Sequence, residues 1–278
     1  MITAALASAL PFPQIGPDIL SIGPLTLRYY SMAYVLGILL GWWYARKIGR
    51  HPGTEITPKL ADDFMLWATL GVIFGGRIGY VLFYLLPFAA DRVAADPLVI
   101  FRVWEGGMSF HGGLTGVIVA MFAFSFKNRI SVIRLGDMMG CVAPVGLLLG
   151  RIANFINGEL YGRVTDVPWA VIFPTGGPMG RHPSQLYEAL LEGAFLLVVQ
   201  AFLFFRRDAW RYPGLQAGIF LLGYATARML VEQVREPDSH ISFLFAGVTM
   251  GQLLSVPMVL GGAWLVHHGL THKIKTAR

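Results

Sequence analysis

Arg77, His111, Arg151 and Arg228 stand inside stretches of apolar residues long enough to cross a bilayer. A charged side chain there costs about 2.5–3.5 kcal/mol on insertion scales, so its presence points to a task. At 1.5 Å per residue from the inner end of each stretch, Arg151 lies about 21 Å beyond Asp137, Arg228 about 21 Å beyond Gly214, and Arg77 about 26 Å beyond Leu60. His111 opens its stretch from the outer side. Four stretches therefore deliver polar groups to one depth, in the outer leaflet. The guanidinium is a planar fork that matches phosphate and stays charged at any accessible pH. The phosphates at that depth belong to phospholipids, so the chemistry expected is recognition of a lipid head group. The structural alternative is that each arginine snorkels to the head groups or pairs with a carboxylate to hold the bundle.

Two stripes extend the pattern. Tyr224, Arg228, Glu232 and Arg235 follow i, i+4, i+8 and i+11 spacing on one helix face, with Glu232 the expected structural partner of Arg228 or Arg235. Arg77, Tyr80 and Tyr84 follow i, i+3 and i+7.

The elements that must position these residues are membrane helices. Of 278 residues, 55% are hydrophobic and only 14% charged, with a mean hydropathy of +0.59. Soluble domains carry roughly 25% charge, so an ordinary cytosolic enzyme is excluded, and so is disorder. The formal charge of +6 speaks for a membrane surface rather than nucleic acid. The fold class expected is an all-α polytopic membrane protein of one domain, residues 1–278. It has seven spans near 28–45, 60–84, 107–126, 137–154, 184–205, 214–234 and 245–266. A Gly- and Pro-rich outer loop at about 157–183, with strand-like pieces such as Trp169 to Phe173, forms a small cap.

Basic residues set the orientation. With the N-terminus outside, 13 of the 22 Lys and Arg fall on the inner side, including all five lysines. The remaining nine, Arg28, Arg77, Arg92, Arg102, Arg151, Arg163, Arg181, Arg228 and Arg235, are all arginines. Met1 to Pro13 lacks a basic n-region, which argues against a cleaved signal peptide. Cys141 is alone, so no disulfide framework or paired-cysteine metal site is expected. His267, His268 and His272 have no metal-ligand partners in the sequence pattern, and neither metal nor cofactor is expected.

Four motifs carry a resemblance: FHGGLTG from Phe110, GRIANFINGELYGR from Gly150, RHPSQLYEA from Arg181 and GYATARMLVEQVREPD from Gly223. Together they closely resemble the prolipoprotein diacylglyceryl transferase family of the bacterial inner membrane, from the Tyr30 region to Gln252. The resemblance implies seven spans, a periplasmic N-terminus and a cytoplasmic C-terminus. It also implies transfer of an sn-1,2-diacylglyceryl group from phosphatidylglycerol to the lipobox cysteine of a prolipoprotein signal peptide. Glycerol 1-phosphate leaves in this first step of lipoprotein maturation.

Carried over by position, the resemblance makes His111, Arg151 and Arg228 catalytic. It places Arg151, Asn154, Glu159, Gly162, Tyr80 and Tyr30 at the phosphatidylglycerol, with Tyr224, Glu232, Arg235 and Arg77 in support. Physical chemistry agrees: a thiol with a pKa near 8.5 needs a base or a positive field, and a departing phosphate needs cations. Asn157 is read as satisfying backbone groups, Tyr187 and Glu188 as packing and bridging residues after a helix start at Ser184. A transporter or channel for an anionic lipid or solute is the alternative. It would favour a repeat and a midplane site, neither of which the sequence displays.

Overall fold

The computed structural model describes residues 9–13, 15–16, 18–22, 25–236 and 249–274. Along the chain run β1 (Leu10–Pro11), β2 (Asp18–Ile22), β3 (Leu25–Arg28), α1 (Tyr29–Gly49), α2 (Pro58–Phe88), α3 (Ala90–Ala95), α4 (Phe110–Asn128) and α5 (Val132–Ile156). Then follow β4 (Val171–Ile172), α6 (Ser184–Arg206), α7 (Leu215–Val231) and α8 (Met250–Thr271). Two helices contain a π-helical stretch, Val81–Leu85 in α2 and Ala189–Phe195 in α6.

The chain is a polytopic, mainly helical membrane protein. Five helices, α2, α4, α5, α6 and α8, are long and apolar enough to cross a membrane. Helix α7 is apolar but has 17 residues. Helix α1 carries Tyr29, Tyr30 and Tyr34 at one end and Trp42, Trp43 and Tyr44 at the other. Such amphipathic rings lower its hydropathy while suiting the two interfaces of a bilayer. Residues 245–248 of the last expected span, Pro237 and Asp238 of the last motif, and Lys275 and Arg278 lie outside the described residues.

The chain divides into two compact units, residues 46–136 and residues 1–45 with 137–278. Within the first, α2 and α4 approach along facing glycines. A Cβ on Gly116 would lie 2.0 Å from the Gly71 carbonyl oxygen, and one on Gly112 would lie 2.4 Å from that of Gly75. Lipid offers no hydrophobic drive between helices, so close backbone packing of this kind supplies the attraction.

Within the second unit, the buried Asp137 carboxylate accepts from the N–H groups of Gly214 (2.8 Å) and Ala217 (3.0 Å), capping the start of α7. Gln200 and Gln216 each donate to the other's backbone carbonyl, at 2.9 and 3.0 Å, and Gln216 also donates to the Cys141 sulfur. Cys141 is thus a buried core residue. Outside the helices, β1 pairs in parallel with β4. Phe12, Phe155, Phe173 and Tyr161 cluster beneath them. The strand-like piece expected between Trp169 and Phe173 is β4.

Candidate functional site

One carboxylate gathers three arginines. Glu188, fully buried in the first turns of α6, accepts from Arg228 Nη1 at 2.6 Å and from Arg235 Nη1 at 3.1 Å on Oε1. Its Oε2 lies 3.4 Å from Arg151 Nε. Arg151 also reaches Glu192 Oε2 at 3.5 Å, and Arg228 reaches Glu232 Oε2 at 3.0 Å. Both Glu188 and Glu192 are wholly shielded, while Arg151 and Arg228 keep 17% and 14% of their side-chain surface exposed. The cluster therefore keeps part of two arginine side chains exposed and both α6 carboxylates shielded.

Chain geometry makes this convergence possible. Arg151 comes from α5, Glu188 and Glu192 from α6, and Arg228 from α7. The helix ends at Val231, so Glu232 is its cap and Arg235 lies beyond it, in a bridge with Gly162 rather than on the helical stripe expected. Both residues still reach the cluster. Tyr224 lies within electrostatic reach of Arg151, Arg228, Glu188 and Glu192, and Tyr30 of Arg151 and Glu159. A Cβ on Gly251 would lie 2.8 Å from Glu232 Oε2 and 3.0 Å from Arg228 Nε, so the first turn of α8 abuts the pair.

The long motif after Arg151 is tied together by its own side chains and by the start of α6. Asn154 and Asn157 both donate to Glu159 Oε1, at 2.9 and 3.3 Å. The Asn157 side chain thus holds a carboxylate, where backbone groups were expected. The chain then turns through Gly158 (φ +65°) and Leu160 (φ +57°). Gln185 donates to the Glu159 carbonyl at 2.6 Å, and Ser184 to that of Leu160 at 3.1 Å. Gly162 is a packing point: a Cβ there would lie 2.5 Å from the Val234 carbonyl oxygen and 2.7 Å from His182 Cβ. Arg181 braces the same crossing through Gly162 O, Gly176 O and Glu236. Burial pushes the neighbouring His182 imidazole below the usual histidine range, and its Nδ1 meets the Tyr187 hydroxyl at 3.2 Å.

The other expected residues belong to the 46–136 unit. His111 is exposed on the first turn of α4, whose N-cap Ser109 accepts from Gly112 N. Its ring packs edge-on to Phe110. Arg77 is buried and committed to backbone: it donates to the carbonyls of Ile100 (2.7 Å), Gly106 (2.7 Å), Gly107 (3.0 Å) and Val99. Its guanidinium also lies 5.3 Å from the Tyr80 ring centre, and Tyr80 stacks on Tyr84. Arg77 is thus a loop organiser here.

Sequence reasoning passed over Glu192. Its signal was the one used for the arginines, an ionisable residue inside a span. Glu188 is read from the sequence as a packing and bridging residue, and the i, i+4 relation to Glu192 points to the same face of the helix. Among the described residues, no group of three or more His, Cys, Asp or Glu converges to hold a metal ion.

Comparison with known proteins bears on the same chain. The family described as prolipoprotein diacylglyceryl transferase matches residues 17–268. A protein of Sinorhizobium medicae (strain WSM419) is 53% identical over 272 residues, covering 95% of each chain. A protein of Rhizobium meliloti (strain 1021) is 51% identical over 270 residues, again 95% of each, and one of Rhodospirillum rubrum is 52% identical over 256 residues, 91% of this chain and 92% of that one. All three carry the name phosphatidylglycerol–prolipoprotein diacylglyceryl transferase, which disfavours the transporter reading. With the match spanning the arginine cluster, the glycine seam and His111 alike, the chain belongs to the prolipoprotein diacylglyceryl transferase family.

Proposed function

We propose that this protein transfers the sn-1,2-diacylglyceryl group of phosphatidylglycerol to the lipobox cysteine thiol of prolipoprotein signal peptides, in the bacterial inner membrane. The observation that carries the reading is the set of three guanidiniums held on the single buried Glu188. Arg151 and Arg228, the two that keep exposed surface, receive the phosphodiester and take the charge that grows on the leaving phosphate. The substrate sulfur attacks the sn-3 carbon, the new C–S bond replaces the C–O bond, and the bonding pair leaves with glycerol 1-phosphate. The thiol proton passes to His111, which serves as the general base.

Lipid binding is assigned to Asn154, Glu159, Gly162, Tyr30 and Tyr80, as the family resemblance implies. Tyr224, Glu232, Arg235 and Arg77 support the frame. The N-terminus faces the periplasm and the C-terminus the cytoplasm, with the lysines as inner anchors. The bilayer, the lipid and the signal peptide are the partners; nucleic acid and cofactors have no part.

The test uses purified protein, phosphatidylglycerol vesicles and a lipobox peptide, read by mass for the diacylglyceryl adduct. Adduct from the wild type and its near-complete loss in His111→Gln are expected. Absence of adduct from well-folded protein overturns the transferase reading, and full activity in His111→Gln removes the base role.

A further inference from the structure

We propose that residues 89–109, the connection between α2 and α4, form an aromatic anchor that lies in the head-group and acyl boundary of the bilayer. The inference stands on the membrane fold and is independent of the reaction. The segment joins the end of one membrane-crossing helix to the start of the next, so its two ends are fixed at the same membrane face.

Its structure is sorted by side. Inward, Val99 is buried against Val81 and Leu85, with Val93, Ile100 and Ala89 packed on the same cluster. Exposed are Trp104 and Phe101, at 76% and 70%, with Leu98 and, at the end of α2, Phe88. An apolar surface of this size on a short connection is out of place in water and in place at a lipid boundary.

Immersion also demands that polar groups be satisfied from within, because the acyl region supplies no hydrogen bonds. The segment meets most of that demand. Arg92 pairs with Glu105 at 2.9 Å, and Arg102 pairs with Asp96 at 2.6 Å and Glu105 at 3.4 Å, so both arginines are answered within the segment, while the exposed Asp91 leaves it one negative charge in excess. The carbonyls of Val99, Ile100, Gly106 and Gly107 all converge on the Arg77 guanidinium. A loop standing in water would need no such buried cation. The occupant of the outward face is lipid: the large exposed side chains are apolar or aromatic, and both arginines are already paired with carboxylates of the same segment.

The experiment places single nitroxide labels at positions 98, 101 and 104 of the full chain, in a Cys141→Ala background, in phosphatidylglycerol-containing nanodiscs. These positions are exposed, so the labels leave folding intact. Each label is expected to collide more often with oxygen than with a water-soluble nickel chelate, the order found below the phosphate plane. Trp104→Asp is expected to shift the label at 101 toward the chelate. More frequent collision with the chelate in the unsubstituted chain would put the segment in water, and low collision with both reagents would put it under protein. Either result overturns the anchor.

Discussion

The Arg151 side chain uses two different nitrogens on two different carboxylates, Nε on Glu188 and Nη2 on Glu192. A lysine carries the same charge but only one ammonium and no fork. Arg151→Ala is therefore expected to abolish turnover, and Arg151→Lys to restore only a small part of it, in the adduct assay. Full activity in Arg151→Lys would mean that a point charge suffices. Glu188 is the more severe position for stability. Glu188→Gln leaves Arg151, Arg228 and Arg235 without their shared counter-charge, and breaking such a buried group costs about 3–5 kcal/mol. A large fall in the melting temperature in detergent is expected. A Glu188→Gln protein as stable as wild type would show that Glu192 and Glu232 alone hold the cluster.

Among the elements, the α2–α4 seam has the least tolerance. A Cβ at Gly116 would press against the Gly71 carbonyl at 2.0 Å, whereas one at Gly113 meets nothing nearer than 3.6 Å, at Val72 O. Gly116→Ala should destabilise the pair by about 1–3 kcal/mol, with Gly113→Ala near neutral, as read by thermal unfolding in detergent. Equal effects at the two positions would refute the close approach. Much of this level was legible in the sequence. Hydropathy marked the helices, and the helix start expected at Ser184 is the start of α6. Less legible was anything decided by chain reversal. Arg235 looked helical because its spacing continued the stripe, but the helix stops at Val231 and the following bridge to Gly162 carries the side chain back to Glu188. Arg77 looked like its fellow arginines because depth alone cannot distinguish a lipid phosphate from four backbone carbonyls.

For the whole molecule, the proposed placement of all five lysines on the inner side makes orientation a measurable property. A fluorescent protein fused at the C-terminus should be bright in cells, and alkaline phosphatase inserted in the 157–183 loop should be active. The reverse pattern would invert the proposed topology and place the arginine cluster in the inner leaflet. The ion cluster has a further consequence for how the protein is made. Arg151 leaves the ribosome in α5, its two carboxylates follow only in α6, and Arg228 and Arg235 later still. Each of these helices, alone in lipid, would carry charge that costs about 2.5–3.5 kcal/mol per group at the centre of a span. Nascent chains stopped before Ser184 should therefore be retained at the translocation channel or degraded, while chains extended past Arg235 are released. The neutrality that completes the site is then also the signal that its last helices have arrived.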